Sequence, residues 1–429
     1  MLARLLCALL FIAPALAQNQ LKMVVILTRH GVRSPTGAAY VKAPWPKLQP
    51  DWGVDCCGDL TPTGKQLVRL MGAYYRDYYA QLLPPGCPDK QVYIRADNEE
   101  RTMETGRELA KGLEGDSTRC NIPVHSAGYK PQPCNTSGGN CQRGKPTDPL
   151  FHLPSSYKPD VNRMQAIARH INQSYPGLRE KYSRQLEALR KTLCPSENCT
   201  PIPEKPAAVD SNGKLTWDGP FSAGSTASEI FLLEYGNGMP CEKVGWGRVI
   251  FNSPDCSGPG QLFRDMQEIH TAYFQEMQRA HYIAQMQGFN LLNEIASRLN
   301  QGTGPTAPQQ KLVILAGHDT NIANIAGIFD FKWKPCDLPE NDTPPAGALV
   351  FELYKDPQQT GYSVRVRYVY QKVEQLRTKA KLTRTSPPQW LEVALITCKN
   401  NDCDIRKLDK SAIKPAGDQQ AACTGPADK

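Results

Sequence analysis

After its leader, the sequence contains no uninterrupted apolar run of about 18 residues, the length a helix needs to cross a bilayer. The mature chain is therefore expected to be soluble, with no membrane partner. It also lacks a basic block. Its 50 Lys and Arg stand against 42 Asp and Glu, and the formal net charge of +8 is spread along the chain. That pattern gives little support to nucleic-acid binding, while a mildly basic surface suits a small anionic substrate. Cysteine never occurs as CxxC or beside paired histidines, which argues against zinc sites. Internal repeats are absent, and no low-complexity segment interrupts the chain before its polar C-terminus.

What is present starts with a leader. Residues 1–17, "MLARLLCALLFIAPALA", combine Arg4, a short apolar core from Leu5 to Ile12, and Ala15 and Ala17 around Leu16. This is the pattern of a secretory signal and predicts a periplasmic or secreted protein. Cysteine usage agrees. Of 15 cysteines only Cys7 falls in the leader, leaving an even number suited to disulfides. Cys194 with Cys199, and Cys398 with Cys403, are spaced to close short loops; the full connectivity stays open. A mature chain of about 410 residues exceeds what one core usually organises, so two domains are expected.

Three segments share one layout. In "VVILTRHGVRSPT" (24–36), the apolar run Met23 to Leu27 reads as a strand covered on both faces, with a turn from Thr28 to Gly31. In "QVYIRADNEERTMETGRELAKGLEG" (91–115), a strand ends at Ala96. Asp97 or Asn98 is then placed to cap a helix that has Glu99 and Glu100 in its first turn and stops at Gly115. In "KLVILAGHDTNIANIAGIF" (311–329), Leu312 to Ala316 form a strand. Gly317 permits a tight turn, and Thr320 and Asn321 open a helix. Ligands of open α/β sheets gather outside the carboxyl ends of strands. If the three strands are neighbours, Arg29, His30, Arg33, Arg101, His318 and Asp319 share one crevice.

Those residue types fit phosphate chemistry. A guanidinium binds phosphate bidentately and stays charged at any working pH. Helix N-termini add oriented N–H groups. A neutral imidazole can attack phosphorus, and a protonated carboxyl group can give the leaving alcohol its proton. A neutral His30, and an Asp319 titrating near the ordinary value of about 3.9, predict an optimum of about pH 3–6.

With "RHGVRSPT" and "GHDTN" together, the sequence resembles the histidine acid phosphatases, the two-domain branch of the histidine phosphatase superfamily. The segments 60–79, 96–113, 228–240 and 343–354 resemble the bacterial phytase and glucose-1-phosphatase type, so the likeness spans nearly the whole mature chain. It implies His30 as the nucleophile, Asp319 as the proton donor, and Arg29, Arg33, Arg101 and His318 as the phosphate-holding groups. It further implies Thr36, Asp97, Glu229, His270 and Thr320 as substrate contacts. It implies no cofactor and no metal, a phosphate-ester substrate, phytate and related inositol phosphates foremost, and a monomer in preference to an oligomer. Two family cations are missing. Gly37 stands where these phytases often have Lys, and Gln287 stands where a further arginine is expected. Their absence keeps a sugar-phosphate phosphatase, such as a glucose-1-phosphatase, or a broad-specificity acid phosphatase as alternatives. A non-catalytic anion binder and a phosphomutase fit less well, because His30 and the His318–Asp319 pair are all present.

The expected fold is α/β: a mixed, mainly parallel sheet flanked by helices, with an inserted mostly helical domain. The α/β part is assigned to 18–150 and 300–429, and the insertion to 151–299. Thr61-Pro62 reads as a helix start, with a core stripe through Leu67, Met71 and Tyr75. Residues 123–159 and 201–214 read as loop, and 160–192 and 226–300 mainly as helix. Ala348 to Tyr354 and "YSVRVRYVY" form an expected hairpin around the turn 356–361, with "LEVALITC" as a further strand.

Overall fold

The computed structural model describes residues 19–36, 51–131, 133–134, 148–154, 156–194, 202–249, 258, 260–304, 306, 308–356, 361–398, 402–407 and 410–416. The expected leader, Gly37, Cys199 and most of the turn 356–361 lie outside these residues. In chain order the elements are β1 (Gln20–Arg29), α1 (Pro62–Tyr78), β2 (Val92–Ala96), α2 (Glu100–Glu114), β3 (Val124–His125), α3 (Val161–Lys181), α4 (Ser183–Leu193), β4 (Ala208–Val209), β5 (Leu215–Thr216) and α5 (Pro220–Gly236). There follow α6 (Gln261–Met277), α7 (His281–Thr303), β6 (Leu312–Gly317), α8 (Asp319–Phe329), β7 (Ala348–Lys355), β8 (Tyr362–Tyr370), α9 (Val373–Thr378), β9 (Gln389–Thr397) and β10 (Ile413–Pro415).

Eight strands form one mixed sheet in the order β10-β9-β8-β7-β1-β6-β2-β3. The pairings β1–β6, β6–β2 and β2–β3 are parallel, and those from β1 outward through β7, β8, β9 and β10 are antiparallel. β1 joins the two halves and shows why its sequence is a continuous apolar run. Val24 and Ile26 pack on one face with Val68 and Met71 of α1 and Leu109 of α2. Met23, Val25 and Leu27 pack on the other with Leu291 and Ile295 of α7 and Ile322 of α8. A strand covered on both faces needs no polar alternation. A further core is built from α3 to α6 around Phe221, Phe231 and Phe263. Among the described residues, no helix is long and apolar enough to cross a membrane.

Several local expectations hold. Thr61 caps α1, its hydroxyl accepting from Gly64 N at 2.9 Å, with Pro62 as the first helical residue. Gly115 ends α2 at φ +66°. Cys398 and Cys403 are bridged, as are Cys56 with Cys134 and Cys87 with Cys120; Cys194, Cys241 and Cys336 are also disulfide-bonded.

Others need correction. α2 begins at Glu100 with Glu99 as the residue before it, and neither Asp97 nor Asn98 caps it. The Asp97 carboxylate is instead taken by two histidines, described below. β1 runs on through Thr28 to Arg29, because its ladder with Gly317 and Ala348 continues that far. α5 starts at Pro220, ahead of the expected 226. The loops 123–159 and 201–214 contain the two-residue strands β3 and β4, too short to leave a periodic signal.

Candidate active site

The carboxyl ends of β1, β6 and β2 are brought into line by their register. Arg29 stands opposite Gly317, and Ala96 opposite Ala316. The ladder continues one residue further on each side: His30 N donates to Gly317 O at 2.9 Å, and Asp97 N to Ala316 O at 3.0 Å. The polar residues that follow each strand therefore emerge at one edge. Gly317 has an ordinary φ. Its role is close approach, since a Cβ there would stand 2.5 Å from Asn321 Oδ1 and 2.8 Å from the Phe151 ring.

His30 is buried and its tautomer is set. Nδ1 lies 2.9 Å from Gly31 O, and a carbonyl can only accept, so Nδ1 carries the proton. Nε2 then presents a lone pair to the crevice, with Arg33 Nε 3.4 Å away. Burial lowers the His30 pKa well below its usual value, and Arg29, Arg33, Arg101 and His318 add to the fall. The imidazole is neutral and nucleophilic.

Three guanidinium groups surround it. Arg29 is fully buried. It pairs with Glu229 Oε1, donates to Thr343 O, and lies 3.2 Å from Asp319 Oδ2. Arg33 reaches the same Glu229 oxygen at 3.5 Å and donates to Ser34 O at 2.9 Å. Arg101, in the first turn of α2, pairs with Glu99. Burial and the charge of Arg33 bring Arg101 down to about 9, so the cluster strains against its own charge. Gly58, at φ +82°, leaves room beside it: a Cβ there would meet Arg101 Nη1 and the Thr36 methyl, each at 3.6 Å.

Asp319 is the first residue of α8. Burial alone would raise its pKa, but Arg29, His270, His318 and Arg33 pull it down to about 2. It is ionised in the unliganded protein, in contrast to the ordinary aspartate value expected from sequence. His318 precedes it, and its N–H donates to Asn321 Oδ1 at 2.9 Å. His318 Nε2 lies 2.7 Å from Asp97 Oδ2, and His152 Nε2 lies 2.7 Å from the same oxygen. Burial pushes Asp97 up, but these two hydrogen bonds more than offset it and hold the carboxyl well below the usual range. Burial brings His318 down to about 4, although Asp97 opposes the fall. The Asp97, His152 and His318 ligand atoms lie within 4.8 Å of one another, close enough to bridge a small cation. The two N–H···O bonds account for this grouping, and the charge of Arg101 works against a cation there.

The remaining expected residues line the same region. Glu229, on the almost wholly buried α5, reaches Arg29 and Arg33. His270 of α6 is held by Ser225 through Nδ1, at 3.0 Å from its hydroxyl, and its buried Nε2 has no hydrogen-bond partner among the described residues. Thr320 N donates to Asp319 Oδ1 at 2.7 Å. Gln287 is half-buried on α7. Two participants were not foreseen. His152 lies in a loop with no periodic pattern. Asp342 is buried behind Arg29, its Oδ1 accepting from Thr343 N at 2.6 Å; burial pushes it up to about 6 against the pull of His270. His152 falls in the stretch 123–159 read as loop, and Asp342 one residue before the segment 343–354 that carries the likeness.

Residues 20–369 match the family model of the histidine phosphatase superfamily, branch 2. The chain is 32% identical over 419 residues to phytase AppA of Escherichia coli (strain K12), covering 90% of each. It is 27% identical over 427 residues to the glucose-1-phosphatase of Providencia rettgeri, covering 94% of this chain and 95% of that one. The apo form of Hafnia alvei phytase superposes with a TM-score of 0.73 at 32% identity, over 94% of this chain and 95% of that one. With the motif, the sheet and the relatives in agreement, the chain belongs to branch 2 of the histidine phosphatase superfamily.

Proposed function

We propose that the protein is an exported acid phosphatase that hydrolyses phosphate monoesters through a phosphohistidine at His30. The observation that carries this is the fixed tautomer of His30, which leaves Nε2 unprotonated among three arginines, with Arg33 Nε donating to it at 3.4 Å. In the first step the Nε2 lone pair attacks phosphorus, and the ester P–O bond breaks. The leaving oxygen keeps the electron pair and takes the proton of Asp319. In the second step water attacks phosphorus, gives a proton to Asp319, and releases His30 and inorganic phosphate. Arg29, Arg33, Arg101 and His318 hold the phosphoryl oxygens and offset the charge that builds on them.

Asp319 is ionised while Arg29 and Arg33 are free. A phosphate dianion on those arginines offsets their charge, so Asp319 takes up its proton in the complex. The rate is then expected to fall as pH rises through the value Asp319 has with substrate bound. Thr36, Glu229, His270 and Thr320 are assigned to the leaving group and the outer phosphates; Asp97, whose oxygens are taken by His152, His318 and Asn98 N, acts through His318 in place of the direct contact expected from sequence. In this reading the largely helical stretch 151–299 is an insertion that closes one side of the crevice, bringing Glu229 and His270 to it. The disulfides support export to an oxidising compartment.

Phytate and related inositol phosphates are the proposed substrates, on the likeness to the two phytases. Glucose 1-phosphate is the second reading, favoured by Gln287 at a position where a cation was expected. A panel of phytate, glucose 1-phosphate, nucleotides and p-nitrophenyl phosphate across acid pH distinguishes them. Highest kcat/KM on phytate supports the first reading, and a preference for the sugar phosphate replaces it with the second.

A further inference from the structure

We propose that His152 is a positioning residue that, through the carboxylate it shares with His318, sets the pH range over which the site binds phosphate. The inference rests on the reading of His318 as a phosphate-holding group.

The geometry is specific. Both imidazoles place Nε2 2.7 Å from one atom, Asp97 Oδ2. An ionised carboxylate only accepts, so each Nε2 carries a proton. The second Asp97 oxygen is used by Asn98 N at 2.7 Å. One oxygen therefore supports two donors, and what one imidazole draws from it the other loses. For His318 this fixes Nδ1 as the nitrogen left for the crevice, with its ring 5.7 Å from that of His30. In neutral His318 that Nδ1 is a lone pair, which repels a fully ionised phosphate oxygen. It donates only as the imidazolium.

Whether His318 can hold that second proton depends on its neighbours. Asp97, at the end of β2, favours it. Burial and Arg101 from α2 oppose it. Facing it also are His30, which follows β1, and Asp319, which opens α8. Asp148, on the same segment as His152, is already committed to Arg95 at 2.8 Å and to backbone N–H groups. His152 differs from all of these. Its side chain is 34% exposed, against 7% for His318, so it stands at the rim of the site. When His152 is charged, it claims the Asp97 carboxylate and repels the His318 ring, 5.4 Å away between centroids. The imidazole at the rim thus opposes proton uptake by the one that faces the phosphate.

The experiment is calorimetric binding of inorganic phosphate to the oxidised mature protein from about pH 3 to 8, for the wild type, His152→Ala and His152→Gln. The ionisation of phosphate itself is common to all three and cancels in the comparison. Removing the competing imidazole should move the fall in affinity upward by about one pH unit in His152→Ala. At a pH on the falling limb, that is about tenfold tighter binding. His152→Gln keeps an uncharged donor on Asp97 and should move the limb less. Unmoved limbs in both variants would overturn the inference. So would a uniform loss of affinity at every pH that the Gln variant restores, since that is the signature of a structural prop. If the wild type bound no phosphate at any pH, the reading of the site itself would fail, a result distinct from either of these.

Discussion

Two arginines, Arg29 and Arg367, are buried in this sheet, and their surroundings differ in kind. Arg367 lies in the antiparallel half. It pairs with Glu352, donates to the Tyr78 hydroxyl at 3.0 Å and stacks 4.0 Å over Trp390, and its cationic neighbour Arg365 is itself paired with Glu392. Burial opposes its charge, but Glu352 and the tyrosine hydroxyls more than offset that, and its pKa rises. Arg29 lies at the edge of the parallel half. It also pairs with a carboxylate, yet it is one of three guanidiniums, and around it Arg33, Arg101, His30 and His318 are all driven toward their neutral forms. Burial of an arginine thus says little about function. A cluster whose cations depress one another is a place waiting for an anion.

The comparison can be broken most severely at His30. His30→Ala should lower turnover by about 10⁴-fold or more while leaving the melting temperature nearly unchanged. Acid-quenched wild type should carry labelled phosphate on His30, and label on another residue type would end the proposed mechanism. Next, Asp319→Asn should slow inositol and sugar phosphates by about 10²–10⁴-fold and p-nitrophenyl phosphate far less, because nitrophenolate departs without a proton. Equal losses on both substrates would remove Asp319 as the donor.

A paired measurement sharpens the contrast directly. Arg101→Ala should cost about 10²–10³ in kcat with little loss of stability, since it relieves repulsion among cations. Arg367→Met should cost about 3–5 kcal/mol of stability by stranding buried Glu352, with kcat of the folded fraction unchanged. The opposite assignment of rate and stability losses would mean that the two environments have been misread.

The effect that builds most gradually is set by pH at Glu234, five residues after Glu229 on α5. Burial pushes its carboxyl up to about 8, although it accepts from Gly245 N. A folded value above the unfolded one means that its stability contribution is complete below about pH 4.5 and is lost as pH rises through 8. Glu234→Gln keeps the acceptor and removes the titration. Its unfolding free energy should match wild type near pH 4 and exceed it increasingly above, by at most about 1.4 kcal/mol per pH unit.

The contrast also explains what was legible in the sequence. β1 and β6 carry continuous apolar runs, and polar or charged residues follow both of them and β2, so Arg29, His30, Arg101, His318 and Asp319 stood out. The helix cap at Thr61 and the stop at Gly115 depend on local chemistry and were equally readable. What escaped depends on contacts between distant segments. Asp97 looked like a helix cap because nothing local shows His152, 55 residues away, or His318, 221 away, reaching for its oxygen. Asp342 owes its behaviour to burial behind Arg29, a tertiary fact. β10 pairs over only three residues, too few for alternation to register.

β1 is flanked by β6 on one side and β7 on the other, and His30, the proposed nucleophile, follows directly on its last residue. Edge strands and surface helices fray first, while a strand paired on both sides exchanges its amide protons only when the whole domain opens. The chemistry therefore hangs from the last part of the molecule to come apart. Peripheral segments that carry none of the site residues can breathe or be clipped without disturbing His30.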